Sequence, residues 1–378
     1  MSRQVHRFLG AARSHMIKVA AVLLREGVRV SPKKIRVVIR ARPDLDDTTR
    51  MLVAELAKRK ISTVVLTAGH VRRPTWMPRE VRLLRVRSLQ AFATYMTSSH
   101  VFFTHGLFGS VRPPSNQIVV NVWHGMPLKS IGADIGHSEY RRFTVTIATS
   151  ERFREIVARS FDVDPSAVLL AELPRNEMLT RTASTRPVQG RYVVWLPTWR
   201  SAVLKSTLHV DGDPQTGVPD SDELTSLVAE LAAQGVTLVA KIHPFSDPSE
   251  SDRFRNAGAM VLDETWLADN ETTLYEVLSA SSALMTDYSS VAVDYLVTGR
   301  PIIFVHRDLD AYRQSRGLNF TNEELALLGS TVLEGPGFVE DVLRILDAAA
   351  PSSEEARELF HSVEGSGATS RLLDLLSL

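Results

Sequence analysis

No cysteine occurs among the 378 residues. That excludes disulfides, thiolate metal sites and cysteine nucleophiles, and it fits a reducing compartment such as the cytoplasm. Long apolar runs are missing as well. The longest near the N-terminus, Val19–Leu24, ends at Arg25 and Glu26, far short of the ~20 residues of a spanning helix. No small-residue cleavage site follows it, so no signal peptide is expected. HExxH, Walker, GxGxxG and GxSxG patterns are absent, and no ligand set for a metal stands out. Net charge is nearly absent too, at +1. With 44% hydrophobic and 23% charged residues, the composition excludes disordered, collagen-like and integral membrane classes.

The small net charge conceals an asymmetry. Residues 1–100 carry 21 basic and 6 acidic residues, whereas 101–378 carry 23 and 37. Residues 1–42 hold 11 basic residues against the single acid Glu26. Such a block calls for an anionic partner. Within it, Val5, Phe8, Leu9, Ala12, Met16, Val19 and Leu23 recur at helical spacing, with Arg3, Arg7, Arg13 and Lys18 between them. Residues 3–25 therefore read as a basic amphipathic helix. It either lies on an anionic membrane surface or packs on its own domain with a solvated basic face. No nucleic-acid recognition motif accompanies it.

Beyond Pro32 short apolar strands alternate with helices, the pattern of parallel sheets covered on both faces. Strands are expected at Ile35–Ile39, Ile61–Leu66, Val101–Phe103, Ile118–Val122 and Val145–Ala148, with helices at Thr48–Lys58, Ser88–Thr97 and Glu151–Ser160. The polar stretch Arg181–Gly190 breaks the pattern. It restarts with strands at Tyr192–Leu196, Thr237–Ile242, Ala283–Met285 and Ile302–Val305, and helices at Glu223–Ala233, Leu274–Ser279 and Val291–Val297. Further helices follow near Asn322–Leu328, Phe338–Ala349, Ser353–Ser362 and the C-terminus. The expected organisation is a basic helix over 1–30, a Rossmann-like domain over 31–183 and a second over 191–378. Two doubly wound domains facing a cleft would bind ligands beyond the carboxyl ends of their strands.

Chemistry-bearing residues fall at those ends. Asn121-Val-Trp-His-Gly-Met-Pro-Leu-Lys129 runs a strand into His124 and Gly125. A histidine there suits a general base near neutral pH, or it is a satisfied structural histidine. His105-Gly106 repeats the arrangement one strand earlier, which favours a cleft-lining role for both. Lys241-Ile-His-Pro244 ends another strand in His243, a donor to a phosphoryl oxygen or a turn histidine. Met285-Thr-Asp-Tyr-Ser-Ser290 leads into a helix, where Ser289 or Ser290 is a natural cap and the free N–H groups favour an anion. Asp287 can polarise a histidine or hold a ligand hydroxyl. Arg313 and Arg316 share a helix face and suit phosphates, or pair with Asp308 and Asp310. In Trp195-Leu-Pro-Thr-Trp-Arg200, Trp195 belongs to the core and Arg200 can reach a phosphate.

Taken in order, WHGMPLK, PRNE, LPTWR, KIHP, TDYSSVAVDY and RDLDAYRQSRG resemble the CDP-glycerol glycerophosphotransferase family of teichoic acid synthesis. The resemblance covers about residues 100–320. It implies a GT-B fold of two Rossmann-like domains, and a peripheral enzyme on the inner face of the cell membrane. The implied reaction moves glycerol phosphate from CDP-glycerol, or ribitol phosphate from CDP-ribitol, to a hydroxyl of a polyprenyl-diphosphate-linked acceptor, with release of CMP. Carried over by motif, His124 is the base and His243 stabilises phosphate or the leaving CMP. Gly125, Lys129, Thr198, Arg200, Pro244, Asp287, Ser289, Ser290, Asp294, Arg313 and Arg316 bind substrate. No cofactor is required by the sequence, and Mg²⁺ would find no visible ligand set. Met126 stands where the family pattern has Thr, and Glu177 where it has Asp. A GT-B nucleotide-sugar glycosyltransferase or epimerase is the alternative, and a non-catalytic membrane-surface scaffold a third.

Overall fold

The computed structural model describes residues 20–108, 112–136, 142–181, 187–197, 221–242, 246–287, 289–306, 317–348, 353–363 and 365–378. These form two compact units. Unit 1 takes residues up to His124, Ile131–Glu177 and Gly367–Leu378, and unit 2 takes Gly125–Ser130 and Met178–Ser366.

Unit 1 holds a seven-stranded sheet. Its strands are β1 (Lys34–Arg40), β2 (Ser62–Thr67), β3 (Arg82–Arg85), β4 (Ser98–Phe103), β5 (Ile118–Asn121), β6 (Val145–Ala148) and β7 (Val168–Leu170). All pair parallel in the order β3-β2-β1-β4-β5-β6-β7. The order reverses between β1 and β4, which is where such sheets open a crevice. Interior strands are buried on both faces, so Val37, Val38 and Ile39 run together without alternation.

Helices start where a side chain can take the first orphan N–H groups. Residues 20–30 form α1, with Ala21 and Val28, two turns apart, turned inward. The N-terminal part of the amphipathic helix expected over 3–25, residues 3–19, lies outside the described residues. Asp46 caps α2 (Asp47–Lys58) by accepting the Thr49 N–H at 2.8 Å, and Ser88 caps α3 (Leu89–Thr97). Ser150 caps α4 (Glu151–Phe161), which buries Phe153, Ile156, Val157 and Phe161 on one stripe.

Unit 2 repeats the plan with β8 (Arg191–Leu196), β9 (Val236–Lys241), β10 (Met260–Leu262), β11 (Ala283–Thr286), β12 (Ile302–His306) and β13 (Ser330–Leu333). The order is β10-β9-β8-β11-β12-β13, again parallel and again reversing beside its first strand. Trp195 is fully buried, edge-on to Phe254 at 5.4 Å, in a core with Leu227, Leu238, Met285 and Ile303.

The last residues do not stay with unit 2, where the sequence placed the whole of 191–378. The helix Ala368–Leu375 packs on unit 1 through buried Leu372 and Leu373. Arg59, at the end of α2, holds it with donors to Asp374 Oδ1 (2.7 Å), the Leu378 carbonyl (2.6 Å) and Ser370 Oγ (2.6 Å). His100 Nε2 lies 3.2 Å from the Leu376 carbonyl.

Candidate active site

The chemistry of unit 1 gathers at the carboxyl ends of β1, β4 and β5. Thr104 and His105 follow β4, and His124 follows β5. Neighbouring strand ends bring the two rings together although 19 residues separate them. They stack at 4.1 Å with 12° between planes. On its other side His124 meets Trp123 at 4.1 Å, and Trp123 stands edge-on to Phe161. Trp123 adopts φ 51°, a left-handed backbone that costs a non-glycine residue about 1–2 kcal/mol. Its N–H donates to Asn121 Oδ1 at 3.1 Å.

Thr104 organises both rings. Its carbonyl lies 3.3 Å from His124 Nδ1. A carbonyl only accepts, so Nδ1 carries the proton and Nε2 keeps the lone pair. The Thr104 hydroxyl accepts the Arg42 N–H at 3.1 Å and lies 2.9 Å from His105 Nδ1. We assign its proton to that Nδ1, which leaves His105 Nε2–H as a donor. One threonine thus sets opposite roles: His124 accepts and His105 donates.

Both rings are held neutral. Burial, then the charges of Arg42, Arg175 and Arg40, bring His105 down to about 4. Burial, then His105 and Arg175, bring His124 down to about 3, against the opposing bond to Thr104. Both histidines are nonetheless exposed by residue area, and the water that reaches them tempers the shift without reversing it. A neutral imidazole is the form a general base requires.

Three arginines of this neighbourhood were not singled out from sequence. Arg40 ends β1 and pairs with Asp44, and Arg42 follows two residues later. Arg175, inside PRNE, is placed by a short turn whose Asn176 donates to buried Glu172 at 2.8 Å. Only the position of PRNE just before the polar break at Arg181–Gly190 hinted at a contact there.

The segment after His124 belongs to unit 2. Gly125 has φ 135°, open to glycine alone at little cost. Asn319 donates to the carbonyls of Pro127 and Lys129, both at 2.9 Å, and Lys129 bridges to Leu318. A Cβ on Gly317 would meet Ser130 Oγ at 2.5 Å, which explains the glycine that ends RQSRG. Met126 is fully buried in this turn.

Of the expected residues on unit 2, Asp287 is buried at the end of β11. Ser290 stands at the cap position of the helix Val291–Leu296, but its side chain makes no capping bond; Ser289 Oγ accepts the Val291 N–H at 3.4 Å. Asp294 is fully buried and takes the hydroxyl of Tyr275, a partner inside the fold where a ligand was expected. Thr198, Arg200, His243, Pro244, Arg313 and Arg316 lie outside the described residues. Among the described residues no group of three or more His, Asp or Glu is arranged to hold a metal ion.

The sequence model of CDP-glycerol:poly(glycerophosphate) glycerophosphotransferases matches residues 21–376. The chain belongs to that family. It is 27% identical over 286 residues to the teichoic acid glycerol-phosphate transferase of Staphylococcus aureus, covering 67% of this chain and 69% of that one. It is 23% identical over 338 residues to the teichoic acid poly(glycerol phosphate) polymerase of Staphylococcus epidermidis, covering 79% of this chain. This member spans only 44% of that polymerase's length. Among solved structures, the wall teichoic acid polymerase TagF superposes with a TM-score of 0.70 at 19% identity, over 99% of this chain and 96% of that one. A putative UDP-N-acetylglucosamine 2-epimerase from Listeria monocytogenes follows at 0.52 and 13%, over 91% and 96%. These likenesses establish the fold, two parallel-sheet α/β units of the GT-B-like kind.

Proposed function

We propose that this family member transfers glycerol phosphate from CDP-glycerol to an acceptor hydroxyl in teichoic acid synthesis. The hydroxyl oxygen attacks the β-phosphorus, the bond from that phosphorus to the bridging oxygen breaks, and CMP leaves. The hydroxyl proton passes to His124 Nε2. The observation that carries this reading is the His124 ring itself: neutral, clamped between Trp123 and His105, with Nδ1 engaged by Thr104 and Nε2 left to accept. The negative charge of the diphosphate raises the ring's proton affinity as the proton arrives. Positioning and charge stabilisation supply most of the rest of such a transfer. His243, Thr198, Arg200, Arg313 and Arg316 are assigned to the donor side. One TagF structure was soaked with CDPG, which supports CDP-glycerol as donor. A relative that is a poly(ribitol-phosphate) polymerase makes CDP-ribitol the alternative donor.

The proposal includes a polyprenyl-diphosphate-linked acceptor at the anionic inner face of the cell membrane. The basic block of residues 1–42 and the exposed Val22 and Leu23 on α1 support it. Among the described residues no helix is long and apolar enough to cross a membrane. The test is CMP release with CDP-glycerol, CDP-ribitol and UDP-sugars in parallel, the acceptor being offered in anionic vesicles and in detergent. Acceptor-dependent CMP from CDP-glycerol, faster on vesicles and slowed there by removing residues 2–19, is the expected result. UDP release with silence from both CDP-alditols would overturn the transferase reading. A rate indifferent to vesicles would remove the membrane surface from it.

A further inference from the structure

A cavity of about 290 Å³ opens at the reversal point of the unit 1 sheet, between the ends of β1 and β4. Its lining combines Arg40, Arg42, His105 and Arg142 with the apolar Val86, Leu107 and Phe108. Every lining residue belongs to unit 1. Asp44 is paired with Arg40. Among the described residues no carboxylate pairs with Arg42, which is exposed. The Thr104 hydroxyl, bound by the Arg42 N–H, lies 2.9 Å from His105 Nδ1, and with its proton assigned there His105 Nε2–H is a donor. The positive charges of Arg40 and Arg42 beside His105 form an electrostatic deficit that an anion would relieve. Arginine forks and a neutral imidazole N–H match phosphate oxygens.

We propose that this cavity is an anion site of unit 1, separate from the donor's, which takes the diphosphate of the acceptor with the adjoining apolar chain against Val86, Leu107 and Phe108. The identification of the anion as the acceptor's rests on the transferase reading; the anion site itself does not. Size and polarity agree. The volume is about ten times one water's share of liquid, room for a diphosphate and the first atoms of its ester. A purely ionic ligand would leave the apolar wall unused. His105 is then a binding residue whose Nε2–H meets an oxygen of the anion while its ring supports His124.

The experiment uses the full chain with inorganic pyrophosphate as probe. Binding is measured calorimetrically in the presence of saturating CDP-glycerol, so that the donor site is occupied, and the His105 ring signal is followed by NMR. The expected result is binding that moves the His105 signal, weakened tenfold or more in Arg42→Ala and partly restored in Arg42→Lys. In turnover, pyrophosphate should compete with the acceptor and not with CDP-glycerol, and Arg42→Ala should raise KM for the acceptor alone. No pyrophosphate binding up to 10 mM, or binding indifferent to Arg42, would overturn the site. Competition with CDP-glycerol alone would assign the cavity to the donor and overturn the acceptor assignment. If CMP release fails altogether while pyrophosphate still depends on Arg42, the anion site stands and the transferase reading falls.

Discussion

Units 1 and 2 are built on one strand plan, yet a threonine at the reversal point of each is used in opposite ways. In unit 2 the hydroxyl of Thr286, at the end of β11, donates to the Leu196 carbonyl at the end of β8, at 2.6 Å. Its proton is spent on holding the sheet together. In unit 1 a tie across the reversal point runs from the Arg42 N–H to Oγ1 of Thr104, one residue past the end of β4. There the hydroxyl accepts, and its proton is the one assigned above to His105 Nδ1. The same residue type, one position apart relative to the strand end, is structural in one unit and organises a pair of histidines in the other. What differs is which backbone group of the neighbouring strand end faces it. Fold similarity therefore says where to look, and the donor or acceptor identity of a single backbone group says what will be found.

The contrast is sharpest at His124 and Trp195. His124→Ala removes the proposed base from a ring open to solvent; turnover should fall by about 10²–10⁴-fold with the melting temperature little changed. Trp195→Ala empties the core of unit 2 and should cost about 3–5 kcal/mol in urea unfolding. If the two variants exchange these signatures, the division between a chemical and a structural strand end is wrong.

A smaller effect separates the units through the returning C-terminal helix. Arg59 is largely buried, with an exposed fraction of 18%, and serves two partners on that helix and one just beyond it. Arg59→Ala should cost about 1.5–3 kcal/mol, and hydrogen exchange should quicken over 368–378 while β8 and β11 stay protected. Uniform loss of protection across both sheets would instead make the helix a support of the whole chain.

The smallest effect is a pH dependence confined to unit 1. His105 and His124 have folded pKa values near 4 and 3 against an ordinary 6.5. The stability they provide is full above pH 6.5 and is lost as acid protonates the unfolded chain first. Asp46 acts in the opposite sense: burial pushes it from 3.8 up to about 6, so its contribution is present at low pH and lost as pH rises through 6. Between pH 6.5 and 6 only the histidines act; below 6 Asp46 offsets part of their loss. Urea midpoints should decline from pH 7 toward pH 5, by well under ~1.4 kcal/mol per unit for each solvent-touched ring. His105→Asn should flatten the decline; a slope unchanged in that variant would place the titration elsewhere.

The strands that patterning missed are instructive: β3, β7, β10 and β13 are the four edges of the two sheets. An edge strand is covered on fewer sides, so its sequence need not be apolar throughout. Arg82–Arg85 has no buried residue, and Val168–Leu170 and Met260–Leu262 have one each. Interior strands such as Val37–Ile39 and Tyr192–Leu196 declare themselves because both faces are sealed. Helices Pro248–Asn256 and Glu264–Asp269, short and largely exposed, were missed for the same reason.

By itself the sequence determined the strand-and-helix alternation, the interior strands, the motif order that resembles the family, and the two strand-end histidines of unit 1. Each of these is written in local spacing, which the 3.6 and 2.0 periods of the backbone translate directly. Only the tertiary structure decided that His105 and His124 stack, that Arg40, Arg42 and Arg175 converge on them, that Asp294 turns inward to Tyr275, and that Gly367–Leu378 returns to unit 1. These are contacts between residues tens to hundreds of positions apart. They depend on strand order and on which backbone group faces which side chain, and no local period encodes either.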